Sequence, residues 1–172
     1  MATLVCLGLG YCARFYFAEF GSRFGRVIGT SRSPEKLERA RSLGLQLGLA
    51  STTGLADAIL NATGGRGADV VLDHLGASVL DETLRATAIG GRVVNIGRYA
   101  GTRGEIDLEL LALRRIALIG VTFRTRSLTE HAAVVSTFTL QHGADLASGA
   151  LHPVVARVFR FSDLPAAIEH AT

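Results

Sequence analysis

Apolar positions along this chain switch repeatedly between continuous runs that suit strands and the wider spacing of helices, with few turn residues to spare. Residues 3–7 read as a first strand. A helix to about Phe24 follows, because Ala13, Phe17, Phe20 and Phe24 recur on one face. Residues 26–30 make a short second strand. Ser33-Pro34-Glu35 then supplies an N-cap, a first-turn proline and a dipole-complementing acid for a helix to about Leu43, which Gly44 stops. A weak third strand at 46–49 contains Gly48. A helix at 55–63 and the loop Gly64-Gly65-Arg66-Gly67 lead into a strong strand at 69–75. A helix at 78–88, a turn at Gly90-Gly91 and a fifth strand at 92–96 come next. The pattern continues with a short helix at 108–114, a sixth strand at 116–123 and a helix at 129–140. After Gly149, residues 151–161 alternate loosely like a strand, and 163–170 suit a last helix. Repeats, low-complexity tracts and flexible linkers are lacking.

Strands alternating with crossover helices predict a doubly wound, mostly parallel six-stranded sheet in three α/β/α layers, with order 3-2-1-4-5-6. Several strands are uninterrupted apolar runs, as strands covered on both faces should be. The main domain is expected over 1–148 and a strand-helix tail over 149–172. The sixth strand falls at an edge, where exposed apolar backbone invites association.

The chain has 172 residues, suiting one domain with a small appendage. Apolar residues at 48% and charged residues at 19% exclude a disordered chain. No apolar run reaches the roughly 18 residues of a membrane span. The start, Met1-Ala2-Thr3-Leu4-Val5, has no basic region or cleavage site and does not read as a signal peptide. Two cysteines, Cys6 and Cys12, make no disulfide framework, so a cytoplasmic location is expected. The formal charge of +3 comes from scattered arginines rather than a patch interleaved with aromatics, which argues against a nucleic-acid partner.

Gly8-x-Gly10-x-x-Ala13 follows a predicted strand and opens a predicted helix. Gly8 permits a tight turn, Gly10 lets backbone approach a pyrophosphate, and Ala13 is small enough for close helix packing. Tyr11 and Cys12 complete the turn. Free N–H groups and a helix dipole then favour phosphate. The alternative is an ordinary strand-to-helix turn that holds no nucleotide. At the end of the second strand a site for NAD carries an acid that accepts from the ribose 2′-hydroxyl. Here the segment is Thr30-Ser31-Arg32-Ser33, with no acid before Glu35. Arg32 can pair with a 2′-phosphate, and Thr30, Ser31 and Ser33 can donate to it, so NADP(H) is favoured. The competing reading of Arg32 is a solvated side chain in a helix-capping loop.

From Ser33 onward the chain resembles the cofactor domain of the medium-chain dehydrogenase/reductase superfamily, particularly its zinc-independent quinone oxidoreductase branch. The resemblance rests on residues 31–37 and 39–44, on Gly64-Gly65-Arg66-Gly67-Ala68-Asp69 with Val70-Val71-Leu72-Asp73, and on Gly90-Gly91-Arg92-Val93-Val94-Asn95-Ile96-Gly97. It extends to Gly120-Val121-Thr122 and Pro153-Val154-Val155. It implies a Rossmann sheet in which Asn95, Ile96 and Gly97 pass the nicotinamide ribose. Val121, Thr122 and Phe123 would flank the nicotinamide, and two copies would pair at the sixth-strand edge as a homodimer. Two departures stand out. The opening glycine turn, with the phenylalanines after it, is more similar to extended short-chain reductases and epimerases, suggesting a hybrid first unit. The catalytic domain that precedes the cofactor domain in this superfamily is expected to be absent.

Candidate catalytic groups are few. A short-chain reductase needs Tyr-x-x-x-Lys, but the sole lysine, Lys36, follows Arg32 by four residues, and Tyr99 is followed by Arg103. His74, His131, His142, His152 and His170 show no zinc-ligand spacing, and no nucleophile elbow occurs. Cys12 at a helix N-terminus is better read as a small filler than as a nucleophile. His74 is better read as a hydrogen-bonded strand-end residue than as a proton donor, and the 64–67 loop as a plain turn. The expected function is NADPH-dependent hydride transfer to a quinone or another carbonyl or enone acceptor, the cofactor carrying the chemistry. A non-catalytic nucleotide-binding or regulatory module and an S-adenosylmethionine methyltransferase are the alternatives.

Overall fold

Side chains of the first strand, β1 (Thr3–Leu7), alternate between two cores, and all five residues are buried. Leu4 and Cys6 enter one cluster with Val27, Leu37, Ala40, Leu45 and Leu72. Val5 and Leu7 enter the other, with Ile28, Leu55, Ile59, Val71, Leu84 and Val93. A strand buried on both faces belongs in the middle of a parallel sheet. The computed structural model, which describes residues 1–8, 23–50, 53–151 and 157–171, puts it there.

The sheet contains β2 (Arg26–Thr30), β3 (Leu47–Leu49), β4 (Ala68–Asp73), β5 (Thr87–Asn95) and β6 (Ala117–Gly120) besides β1, in the order β3-β2-β1-β4-β5-β6. Every pairing is parallel. Helix α1 (Pro34–Arg41) contributes Leu37 and Ala40 to one core. Helices α2 (Leu55–Ala62) and α3 (Leu80–Ala86) cover the opposite face, with α4 (Leu108–Leu113) packed at its margin. The expected three-layer doubly wound architecture is therefore present. The chain continues into α5 (Leu128–Ser148) and α6 (Leu164–Ala171). Among the described residues, no helix is long and apolar enough to cross a membrane.

Local chemistry accounts for most boundaries. The Ser33 side chain accepts from Lys36 N at 3.3 Å, and Pro34 opens α1. Asp107 caps α4 by accepting from Leu110 N at 2.9 Å. The expected helix at 78–88 begins as a 3-10 turn, Ala77–Val79, and ends at Ala86. Three expectations need correction. Gly90-Gly91 is not a turn between elements: β5 already starts at Thr87 and runs through the pair, with a register irregularity between Ala68 and Val70 of β4. Gly90, at φ +74, lies within the excursion between Thr87 and Arg92, where β5 carries three residues more than β4. The helix expected at 129–140 runs to Ser148. It starts on a reciprocal capping box between Ser127 and Glu130 and stops only at Gly149, at φ +75. The sixth strand is shorter than 116–123, ending at Gly120. The expected helix after β1 and the strand-like start of the tail fall largely on residues 9–22 and 152–156, outside the described residues; residues 157–160 are not in a strand.

At the amino ends of the strands, Asp69 fixes β1 against β4. Its Oδ2 accepts from Thr3 N at 2.6 Å, and its carboxylate is clasped by Arg66, which also donates to Met1 O at 2.8 Å. The 64–67 loop thus holds the chain start rather than a phosphate. Burial works to raise the Asp69 pKa, but the Arg66 guanidinium and the Thr3 N–H outweigh it and hold the carboxyl below its ordinary value. The stability this adds is present above the ordinary carboxyl range and is lost as pH falls through the lowered pKa. Thermal unfolding of the protein and Asp69→Asn should differ at pH 7, begin to converge as pH falls to about 4, and coincide only below the lowered Asp69 pKa. A difference independent of pH would contradict this.

Candidate functional site

The direction in which successive strands are added to the sheet reverses between β1 and β4, because β2 and β3 lie on one side and β5 and β6 on the other. Sheets wound in this order hold their ligands beyond the carboxyl ends of the strands at this switch point, which makes the β1 and β4 exits the candidate crevice. Gly8 leaves β1 at φ +80, and a Cβ there would lie 3.3 Å from the Leu75 side chain and 3.5 Å from His74 Cβ. Gly8 is thus held against the β4 exit in a conformation that other residues rarely adopt. Its N–H donates to Thr30 Oγ1 at 2.9 Å, tying the turn to the end of β2. Gly10, Tyr11, Cys12 and Ala13 lie outside the described residues.

Thr30 is 2% exposed. Its hydroxyl braces the first turn instead of standing at the surface as an anion donor. Beyond it, Ser31 Oγ accepts from Ser33 N at 3.2 Å, and Ser31 N donates to Leu49 O at 3.1 Å. Ser33 is committed to capping α1. Arg32 is exposed and forms no ion pair among the described residues, leaving its guanidinium available.

The exits of β4 and β5 are joined by backbone hydrogen bonds. Ile96 N and Gly97 N donate to Asp73 O at 2.7 and 3.1 Å, Tyr99 N to His74 O at 3.3 Å, Ala100 N to Leu75 O at 2.8 Å, and Ala77 N to Gly101 O at 3.1 Å. The approach requires glycine at 97, where a Cβ would fall 2.5 Å from His74 O. Beneath this seam lies Asp73, 1% exposed. Its Oδ1 accepts from Leu75 N at 2.8 Å and Gly76 N at 3.0 Å, and its Oδ2 from Asn95 Nδ2 at 3.2 Å. Sequence reasoning passed over this residue. The available signal was an acid directly after the apolar run Val70-Val71-Leu72, with Gly76 three residues on.

Further along, Val121 N donates to Asn95 O at 3.1 Å, so Val121 continues the line of strand exits. Arg98 donates to Val121 O at 3.4 Å and Arg126 Nε to Thr122 O at 3.2 Å, with the Arg126 guanidinium 5.4 Å from the Phe123 ring centre. The structure thus draws Gly8 and Thr30 together at one end, and Asn95, Ile96, Gly97 and Val121 together at the other. Ser31 and Arg32 stand apart from the latter group, three strand spacings of about 4.8 Å each from the β5 exit and four from the β6 exit.

Acid-base chemistry is sparse here. Burial lowers the His74 pKa below its ordinary value, the Asp73 charge opposing it only in part, so the imidazole is neutral at pH 7. Burial pushes the Cys6 thiol up to about 12, which removes it as a nucleophile. No three His, Cys, Asp or Glu side chains come together as metal ligands among the described residues.

Comparison with known proteins agrees with this geometry. The family model described as zinc-binding dehydrogenase matches residues 8–138. Despite that name, the described donor groups do not fit a zinc ion. The quinone oxidoreductase-like protein 2 of Bos taurus is 28% identical over 151 residues, a match covering 86% of this chain and 42% of that protein. The chain therefore spans less than half of such a relative. A putative alcohol dehydrogenase from Sinorhizobium meliloti superposes with a TM-score of 0.81 at 29% identity, over 98% of this chain and 47% of that one. A mycobacterial protein solved with NADPH shares the fold, with a TM-score of 0.69 at 21% identity over 89% of this chain and 48% of its own. Sheet order and family match converge: the chain belongs to the medium-chain, zinc-binding dehydrogenase family, as its cofactor-binding domain.

Proposed function

We propose that this chain binds NADPH across the β1–β4 crevice and serves hydride transfer to a quinone or another carbonyl or enone acceptor. The observation that carries the reading is the Gly8 turn, braced by Thr30 and pressed against the β4 exit. It frames a narrow cleft at the switch point of a parallel sheet, where such folds hold dinucleotides. Residues 1–148 form the cofactor domain and 149–172 its tail. Gly8, Gly10, Tyr11, Cys12 and Ala13 line the pyrophosphate. Asn95, Ile96, Gly97, Val121 and Thr122 line the nicotinamide end. When bound, the nicotinamide supplies the hydride. The protein's residues hold and orient it, and the proton that completes the reduction comes from solvent water.

Preference for the phosphorylated coenzyme rests on Arg32, free of any ion pair among the described residues, and on the absence of an acid between Thr30 and Glu35. Ser31 and Ser33 remain candidate hydroxyl donors beside it. The quinone class is supported by the name of the Bos taurus relative. A homodimer is supported by the outer edge of β6, which among the described residues pairs only with β5 and leaves Leu118 and Ile119 39% and 41% exposed. Two such edges laid side by side would satisfy their free backbone groups and cover these side chains.

Three outcomes follow. Fluorescence titration should show tighter binding of NADPH than NADH, and Arg32→Asp should weaken NADPH by about tenfold or more, the worth of a charge-assisted contact; an unchanged ratio would remove the preference. NADPH absorbance should fall faster with a benzoquinone and the protein than with the quinone alone. Equal rates would end the catalytic proposal and leave a nucleotide-binding module. Light scattering at micromolar concentration should give a dimer and Ile119→Lys a monomer, whereas a monomeric parent would refute the edge pairing.

A further inference from the structure

We propose that Asp73 is a positioning residue, presenting Asn95 Oδ1 as a hydrogen-bond acceptor to the nicotinamide half of the dinucleotide. The inference rests on the reading of the crevice above and specifies what its inner end recognises. Asp73 is buried and forms no ion pair among the described residues. Its charge is met instead by the N–H groups of Leu75 and Gly76 on Oδ1 and by the Asn95 amino group on Oδ2. The same amino group donates to Gly97 O at 3.1 Å.

Both partners of Asn95 Nδ2, an ionised carboxylate and a backbone carbonyl, can only accept. The amide therefore has one orientation, with the amino group inward. Its carbonyl oxygen is turned outward, has no hydrogen-bond partner among the described residues, and is not buried. An acceptor fixed at the β5 exit suits a ribose hydroxyl or a carboxamide N–H. It repels phosphate oxygens, which are acceptors too. It thus selects the nucleoside end of the coenzyme, while the Gly8 turn takes the pyrophosphate.

Asp73→Asn breaks this logic without removing volume. If the new side chain's oxygen keeps the Leu75 and Gly76 N–H groups, its amino group faces that of Asn95. The Asn95 amide must then turn over, which sets its oxygen against Gly97 O and withdraws the acceptor from the crevice.

The test compares NADPH with 2′,5′-ADP, which carries only the adenosine half, by calorimetry on the full chain. Asp73→Asn should weaken NADPH about tenfold, the worth of one hydrogen bond to a ligand, and leave 2′,5′-ADP unchanged. Asn95→Leu deletes the acceptor directly and should give the same split, which keeps the test decisive if Asp73→Asn does not fold. The double variant should bind no worse than either single one, because both act through one amide. Equal loss for both ligands, no loss for either, or additive losses in the double variant would overturn the role of Asp73. Failure of the parent protein to bind either ligand would instead overturn the crevice reading beneath it.

Discussion

Parallel pairing of β1 with β4 is the constraint from which the rest of this structure follows. Leu4 to Leu7 pair with Val70 to Asp73, and both strands lie between two apolar layers. Strands buried on both faces cannot slip by one residue without exchanging their whole side-chain sets between the layers. The register is therefore stiff, and so is the position at which the two chains part. Asp69 reinforces it at one end by receiving Thr3 N, and His74 N donates to Leu7 O at the other, 3.2 Å away. Leu7 and Asp73, which end the two strands side by side, are therefore held one sheet spacing apart where the proposed crevice begins.

Two small devices turn that cleft into a shaped site. Thr30 reaches from the neighbouring strand to hold the Gly8 N–H, so the first turn and the end of β2 move as one piece. Asp73 gathers the β4 exit and Asn95 around a single carboxylate. A buried charge without a cation is tolerable only where several donors converge on it. Here three do.

Reading the chain from its residues recovered the sheet order and the bounds of β1 and β2, because those segments are short apolar runs with turn residues at their ends. It failed where a glycine has two uses. Gly90-Gly91 has the composition of a turn, yet Gly90, at positive φ, lies inside β5 within the excursion between Thr87 and Arg92. The helix expected at 129–140 runs on through Gly143, since a mid-helix glycine costs only about 1 kcal/mol, and the capping box at Ser127 and the stop at Gly149 bound a longer helix. In the site, residue types were legible while their partners were not. Thr30 carried the right hydroxyl, but no pattern along the chain shows that it faces Gly8 across the sheet. Asp73 was hidden for the same reason, since its partners Leu75, Gly76 and Asn95 come together only once β4 and β5 pair.

The two ends of the crevice are built on different principles, and this bears on how such a domain can vary. At the β2 exit the candidate recognition group is one exposed arginine on a helix-capping loop, held by no ion pair among the described residues. Its replacement alters charge while leaving packing untouched. At the β4 and β5 exits, backbone hydrogen bonds, a glycine with no room for a Cβ and a buried carboxylate define the surface together. Residues that share one network do not change independently. On the proposed reading, choice between coenzymes rests on a single replaceable side chain, whereas placement of the reactive ring rests on the fold.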